Sequence, residues 1–352
     1  MDDDTTQPKR KKPAKAKLAG ATPAPQPFDI LIVAQSGRLE YEAMLFAASL
    51  RQSSPDFAGR LIVAEPQPEA GWAGHDTLIR PEVRSFLQDL GGEIRPFVQR
   101  AFSHAYPQAN KITALSVLDA DRPFVFFDTD TLVTGDLGAV PFDFTRPAAS
   151  MRREATWPDP PLYGPDHHGI WKSLYDRFGL DIEATLDRSQ PEDHWERFLY
   201  FNAGWFFGND APAFHRRFTD YATSIRDDTP DELASQSLWP WLDQIALPLV
   251  IASFGGGRPG PELDGLDGDV TCHYRLFPLL YARESDRAVA VLEQVATAQP
   301  ARRILREFEP IRRLVLQGQG QKKIRPMFDR ANLPRKERAI RNALKDKGLW
   351  LR

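Results

Sequence analysis

Asp128 and Asp130 stand two residues apart, directly behind the apolar run Pro123-Phe124-Val125-Phe126-Phe127. Charge is poorly tolerated inside such a run, so both carboxylates must emerge where the chain leaves the core. Side chains at i and i+2 of an extended segment point the same way, which aims the pair at one place. Hard divalent cations such as Mg²⁺ and Mn²⁺ take oxygen donors of this kind and often share them with substrate phosphates. The other reading of an Asp-X-Asp is an acidic turn that caps the following segment.

The elements that would position this pair are legible upstream. Phe28 to Ala34 is a buried-strand pattern, and Leu39 to Leu50 follows with helical spacing. Arg60 to Ala64 is a second strand, Pro81 to Leu90 a helix closed by Gly91-Gly92, and Glu93 to Phe97 a third strand. Asn110 to Leu118 reads as helix and Pro123 to Phe127 as a fourth strand. Such alternation predicts an α/β domain whose mostly parallel sheet is covered on both faces. Ligands of such sheets sit beyond the carboxyl ends of the strands, where Asp128 and Asp130 fall.

The stretch Phe126 to Leu137, FFDTDTLVTGDL, resembles the acidic segment of nucleotide-sugar glycosyltransferases of family 8, which have the GT-A fold. Phe201-Asn202-Ala203-Gly204-Trp205-Phe206-Phe207 is similar to that family's FNAG strand, and Leu242-Asp243-Gln244 to its DQ segment, in the same order. The likeness covers roughly residues 28–282 and implies a GT-A-type, Rossmann-like mixed sheet with flanking helices. It implies transfer of a sugar, of the hexosyltransferase type, from a nucleoside-diphosphate sugar to a glycan, lipid-linked or protein acceptor, with retention. Mn²⁺ or Mg²⁺ would be bound by Asp128, which also contacts the ribose, by Asp130 and by a late-strand histidine, for which His273 is the candidate. A hydrogen-bonded histidine on a buried strand is the plainer reading of His273. The family's lysine after that histidine is replaced here by Tyr274-Arg275-Leu276-Phe277-Pro278, and Arg275 is the substitute cation. The resemblance also implies that Lys111 contacts the donor, Asp243 binds sugar hydroxyls and Gln244 lies near the anomeric carbon. Small residues in the FNAG strand would let a ligand approach the backbone, with Asn202 offering its amide and Gly204 its bare Cα. Gln35 and Ser36, at the end of the first strand, are the candidates for contact with the nucleotide base.

Between the acidic and FNAG motifs, residues 155–199 are rich in Trp, Tyr, His and acids. They read either as an acceptor-side insertion or as a structured insertion with its own small core. The alternatives to sugar transfer by this domain are a degenerate GT-A domain that only binds nucleotide sugar or glycan, and another enzyme class, a sugar nucleotidyltransferase. The latter wants a glycine-rich phosphate loop behind the first strand, and Ser36-Gly37-Arg38 is too short for one. No Gly-X-Ser-X-Gly elbow or Walker loop is present. The single cysteine, Cys272, excludes a disulfide framework.

The net charge of −3 hides a split. Residues 1–27 carry +3 and residues 301–352 carry +11, which leaves −17 for the body. Residues 1–27 read as a disordered basic tail without the apolar segment of a signal peptide. Residues 283–352 read as a basic helical region, with one helix around Ile304 to Val315 broken at Pro310 and another over Arg335 to Lys347. Basic amphipathic helices either dock on an acidic body or lie peripherally on the inner face of an anionic membrane. No aromatic residues are interleaved for stacking, so no nucleic acid is expected. The location expected from these features is cytoplasmic.

Overall fold

The computed structural model describes residues 26–153 and 156–351, so the expected basic tail falls outside the described residues except for its last two positions. Strand β1 (Asp29–Val33) leads into helix α1 (Arg38–Ser53) and strand β2 (Leu61–Pro66). Helix α2 (Pro81–Asp89) and strand β3 (Gly92–Phe97) follow. Helix α3 (Asn110–Ala114) is shorter than its pattern suggested and tightens into a 3₁₀ turn over Leu115–Val117. Strand β4 (Phe124–Phe127) then runs into the acidic pair, and β5 (Thr131–Val133) lies just beyond it.

Helix α4 (His167–Arg177) precedes strand β6 (Trp205–Gly208), helix α5 (Ala211–Asp227) and helix α6 (Leu242–Ser253). Strand β7 (Thr271–His273) is followed by α7 (Phe277–Arg283), α8 (Asp286–Thr297) and α9 (Ala301–Leu305). Two π-helical turns, Ile311–Leu316 and Gly320–Ile324, lead to α10 (Glu337–Asp346).

The main sheet has the order β3-β2-β1-β4-β6, parallel except for β6, which runs antiparallel to β4. A second, two-stranded antiparallel sheet pairs β5 with β7, Thr131 opposite His273. The fold is thus the mixed, mostly parallel α/β sheet with flanking helices that the sequence predicts.

Alternation along the buried strands builds two cores. Ile30, Ile32, Val125 and Phe127 face one side, with α1, α7, α8 and the C-terminal segments. Leu31, Val33, Phe124 and Phe126 face the other, with α3, α4, α5 and α6. Strands buried on both faces read as continuous apolar runs, which is the reason Phe124–Phe127 carries no polar residue. In the C-terminal region Ile304, Leu305, Ile311, Leu314, Ile340 and Leu344 belong to the first core. Within residues 155–199, Trp157, Ile170, Trp171, Leu174 and Tyr175 belong to the second. Both segments therefore bury their apolar faces against the central domain.

One sequence expectation is corrected. Asn202, Ala203 and Gly204 are not part of a strand, since β6 begins only at Trp205. They form an irregular approach to it, in which Ala203 takes φ +61. The reason becomes visible at the site.

Candidate active site

Asp128 and Asp130 lie in the short link between β4 and β5, at the carboxyl end of the parallel sheet. Thr129 between them turns the opposite way and donates to the Val33 carbonyl at 2.6 Å. The two carboxylates converge on His273, the last residue of β7. Its Nε2 lies 3.0 Å from Asp130 Oδ1 and 3.9 Å from Asp128 Oδ2. One ligand atom from each of Asp128, Asp130 and His273 lies within 4.8 Å of the others. The pairing of β5 with β7 sets this geometry, because it places His273 directly across from Thr131.

Gly204 makes room for the imidazole. A Cβ at Gly204 would stand 2.3 Å from His273 Nδ1. Its carbonyl also receives the Asp128 N–H at 2.8 Å. The turn over residues 202–204 thus seats one candidate ligand and anchors another, and a regular strand would do neither.

Cations neutralise the acidic cluster. Lys111 Nζ, from buried α3, is 2.9 Å from Asp128 Oδ1, 3.3 Å from Asp243 Oδ2 and 3.1 Å from the Ala203 carbonyl. Burial would lower the Lys111 ammonium, but Asp128 and Asp243 outweigh it and raise its pKa. Arg38, in the first turn of α1, is 2.9 Å from Asp130 and 3.0 Å from Glu42. Burial alone would raise Asp130, yet His273 and Arg38 outweigh it and hold the carboxyl down to about 2. At Asp128 burial wins over Lys111 and His273, and the pKa is raised. Burial likewise pushes Glu42 up to about 8 against the pull of Arg38.

Asp243, in the first turn of α6, is almost fully buried. Tyr106 donates to its Oδ1 at 2.7 Å and accepts from its backbone N–H at 2.8 Å. Gln244, the next residue, accepts from the Tyr200 hydroxyl at 2.8 Å. The Asn202 amide donates to the Arg152 carbonyl at 2.6 Å.

Lys111, Asp128, Asp130, Asn202, Asp243, Gln244 and His273 all line one cleft of about 710 Å³. Gln35 lines an adjoining recess of about 510 Å³ that shares Arg38, Lys111, Asp128 and Asp130 with it. There its amide oxygen accepts from Asn110 at 3.2 Å. Ser36 lines neither cavity, and its hydroxyl turns to Asp76 at 3.2 Å. Gly204 contributes through His273 rather than through the wall itself.

Sequence reasoning did not single out Arg38, Tyr106 or Tyr200. The position of Arg38 just past the first strand was a usable signal, since ligands gather at that end of the sheet. Tyr106 meets Asp243 across 137 residues, and no local pattern announces such a contact. The cleft also takes Arg275 and, from the C-terminal region, Arg335, Lys336, Glu337, Arg338 and Arg341. That region thus reaches the site.

No curated protein matches the sequence. Among solved structures, the galactosyltransferase LgtC in complex with donor and acceptor sugar analogs is similar over 79% of this chain and 100% of its own, at 16% identity and a TM-score of 0.45. The bifunctional glycosyltransferase WbbM is similar over 82% of this chain and 52% of its own, at 14% identity and a TM-score of 0.44. The glycosyltransferase GlyE of Streptococcus pneumoniae TIGR4 is similar over 80% of this chain and 62% of its own, at 13% identity and a TM-score of 0.40. The family profile of the Rhodobacterales glycosyltransferase domain matches residues 30–255, a stretch that carries all five strands of the main sheet, both aspartates and α6. That match takes in well over half of the sequence, and the chain belongs to this family of glycosyltransferases.

Proposed function

We propose that this glycosyltransferase takes its sugar from a nucleoside-diphosphate donor in a metal-dependent reaction, and that Asp128, Asp130 and His273 hold the ion. The observation that carries the reading is the convergence of these three side chains within 4.8 Å at the carboxyl end of β4. Two carboxylates and an imidazole form a hard oxygen-and-nitrogen set that suits Mn²⁺ or Mg²⁺. A bound divalent ion would supply positive charge to the diphosphate as it departs.

The chain's own residues divide the remaining work. Gln35 and Asn110 line the recess at the end of β1 that would receive the nucleoside. Lys111 fixes Asp128 and Asp243 together, so that the nucleotide side and the sugar side of the cleft keep one spacing. Asp243 and Asn202 offer acceptors to the sugar hydroxyls, and Gln244, oriented by Tyr200, stands beside them. Among the described residues, the carboxylates lining the cleft are all engaged by cations: Asp128 and Asp243 by Lys111, Asp130 by Arg38, Glu337 by Arg275. A carboxylate so engaged is a poor base for an acceptor hydroxyl, which supports transfer with retention.

The test is a screen of the purified protein against a panel of nucleotide sugars with Mn²⁺, reading nucleoside diphosphate release. One donor should give metal-dependent release that Asp128→Ala with Asp130→Ala abolishes while the fold is kept. Absence of both release and nucleotide binding across the panel would overturn the reading.

A further inference from the structure

We infer that the C-terminal segment Arg335–Arg338 is part of the donor site, where Arg335, Lys336 and Arg338 receive the diphosphate. This rests on the nucleotide-sugar reading above and extends it to residues far outside the family match at 30–255.

The segment reads Arg-Lys-Glu-Arg, and its one acid behaves unlike its three bases. Glu337 is clasped by Arg275 at 2.8 Å, Arg283 at 3.0 Å and Arg341 at 2.7 Å. Behind it, Ile340 and Leu344 of α10 are buried in the core. The segment is therefore fixed rather than loosely apposed. Arg335, Lys336 and Arg338 are exposed, line the cleft, and have no carboxylate partner among the described residues.

Position supports a phosphate as the missing partner. Arg275, which holds Glu337, lies two residues beyond His273, on the turn that leaves β7. A diphosphate bound at Asp128, Asp130 and His273 would thus lie beside this turn and within reach of the long side chains flanking Glu337. Guanidinium groups suit phosphate oxygens through paired hydrogen bonds. The departing diphosphate also gains negative charge, so cations placed there act more strongly on the transition state than on the ground state.

The test compares the full chain with the triple variant Arg335→Gln, Lys336→Gln, Arg338→Gln. A control carries Arg302→Gln, Arg303→Gln and Arg306→Gln, which removes the same charge from exposed positions that do not line the cleft. Calorimetry with Mn²⁺ at fixed salt reads the affinity for uridine, guanosine, adenosine and cytidine diphosphates and their monophosphates. For the nucleotide that the wild type binds, the cleft variant should lose about tenfold or more in diphosphate affinity and less for the monophosphate. Its melting temperature should stay unchanged, and the control should bind as wild type does. Equal affinity in the cleft variant, or an equal loss in the control, would overturn the inference and leave the nucleotide reading standing. A wild type that binds no nucleotide would overturn both.

Discussion

The His273 imidazole occupies the space where a side chain at Gly204 would be, with Nδ1 only 2.3 Å from the position of a Cβ. The glycine is thus tied to the candidate metal ligand and not to the sheet. Gly204→Ala should displace the imidazole from Asp128 and Asp130. Forcing a methyl into a filled site costs about 1–3 kcal/mol. Urea denaturation should show that loss, and Mn²⁺ binding should fall by more than the stability change explains. Unaltered Mn²⁺ affinity in a folded Gly204→Ala protein would count against this coupling.

Metal addition should stabilise the protein. A ligand that binds only the native state contributes about 2.7 kcal/mol at a concentration a hundred times its Kd. Thermal unfolding should therefore shift upward with Mn²⁺ and return on chelation. Asp130→Ala and His273→Ala should each blunt the shift. A shift of undiminished size in both variants would place the ion elsewhere.

Lys111 bridges two carboxylates, Asp128 and Asp243, from a buried position. Removing one partner of a buried ion pair costs about 3–5 kcal/mol, since the remaining charge is left uncompensated. Lys111→Met should lose stability on that scale at pH 7. Pairing it with Asp243→Asn should recover part of the loss, because the double variant buries one charge fewer. A double-mutant cycle by denaturation measures the recovery.

Glu337 gives a pH dependence with a definite sign. Burial would raise its pKa, but Arg275, Arg341 and Arg283 outweigh it and lower it. A carboxyl depressed in the fold contributes stability that is complete above its unfolded value of about 4.3. The contribution is lost as the pH falls through the lower folded value. The stability gap between wild type and Glu337→Gln should accordingly be constant near neutrality and close below about pH 4. A gap that widened in acid would contradict the clamp.

The acidic pair was legible because an apolar run that ends in charge has only one place to end, the edge of the core. The mostly parallel sheet around it followed from alternation of strands and helices. The FNAG segment misled because apolar residues look alike in a buried strand and in a buried turn. The close approach of His273 to Gly204, from 69 positions later in the chain, leaves no trace in the local pattern. The basic C-terminal region was legible as amphipathic, but a docked helix and a membrane-surface helix share that pattern. The distinguishing signal was the single acid inside Arg-Lys-Glu-Arg, two of whose three partners, Arg275 and Arg283, lie on the turn before α7 and on α7. No helix among the described residues is long and apolar enough to cross a membrane.

Gln244 and Tyr200 offer the sharpest separation of binding from transfer. Tyr200 donates to Gln244 Oε1 at 2.8 Å, which fixes the amide beside buried Asp243. Both residues line the same cleft as Lys111, Asp128 and Asp130, but of these only Lys111, Asp128 and Asp130 also line the adjoining recess beside Gln35. Gln244→Ala should lower kcat by about a hundredfold, the scale of a misplaced group at a reacting centre. The affinity for nucleoside diphosphate should stay within twofold, because neither Gln244 nor Tyr200 lines the recess at the end of β1. Tyr200→Phe keeps the amide and frees its orientation, so its effect on kcat should be smaller and in the same direction. Steady-state kinetics beside calorimetry resolve the two quantities. A Gln244→Ala protein that loses nucleotide affinity in proportion to kcat would move this residue to the nucleotide side of the site.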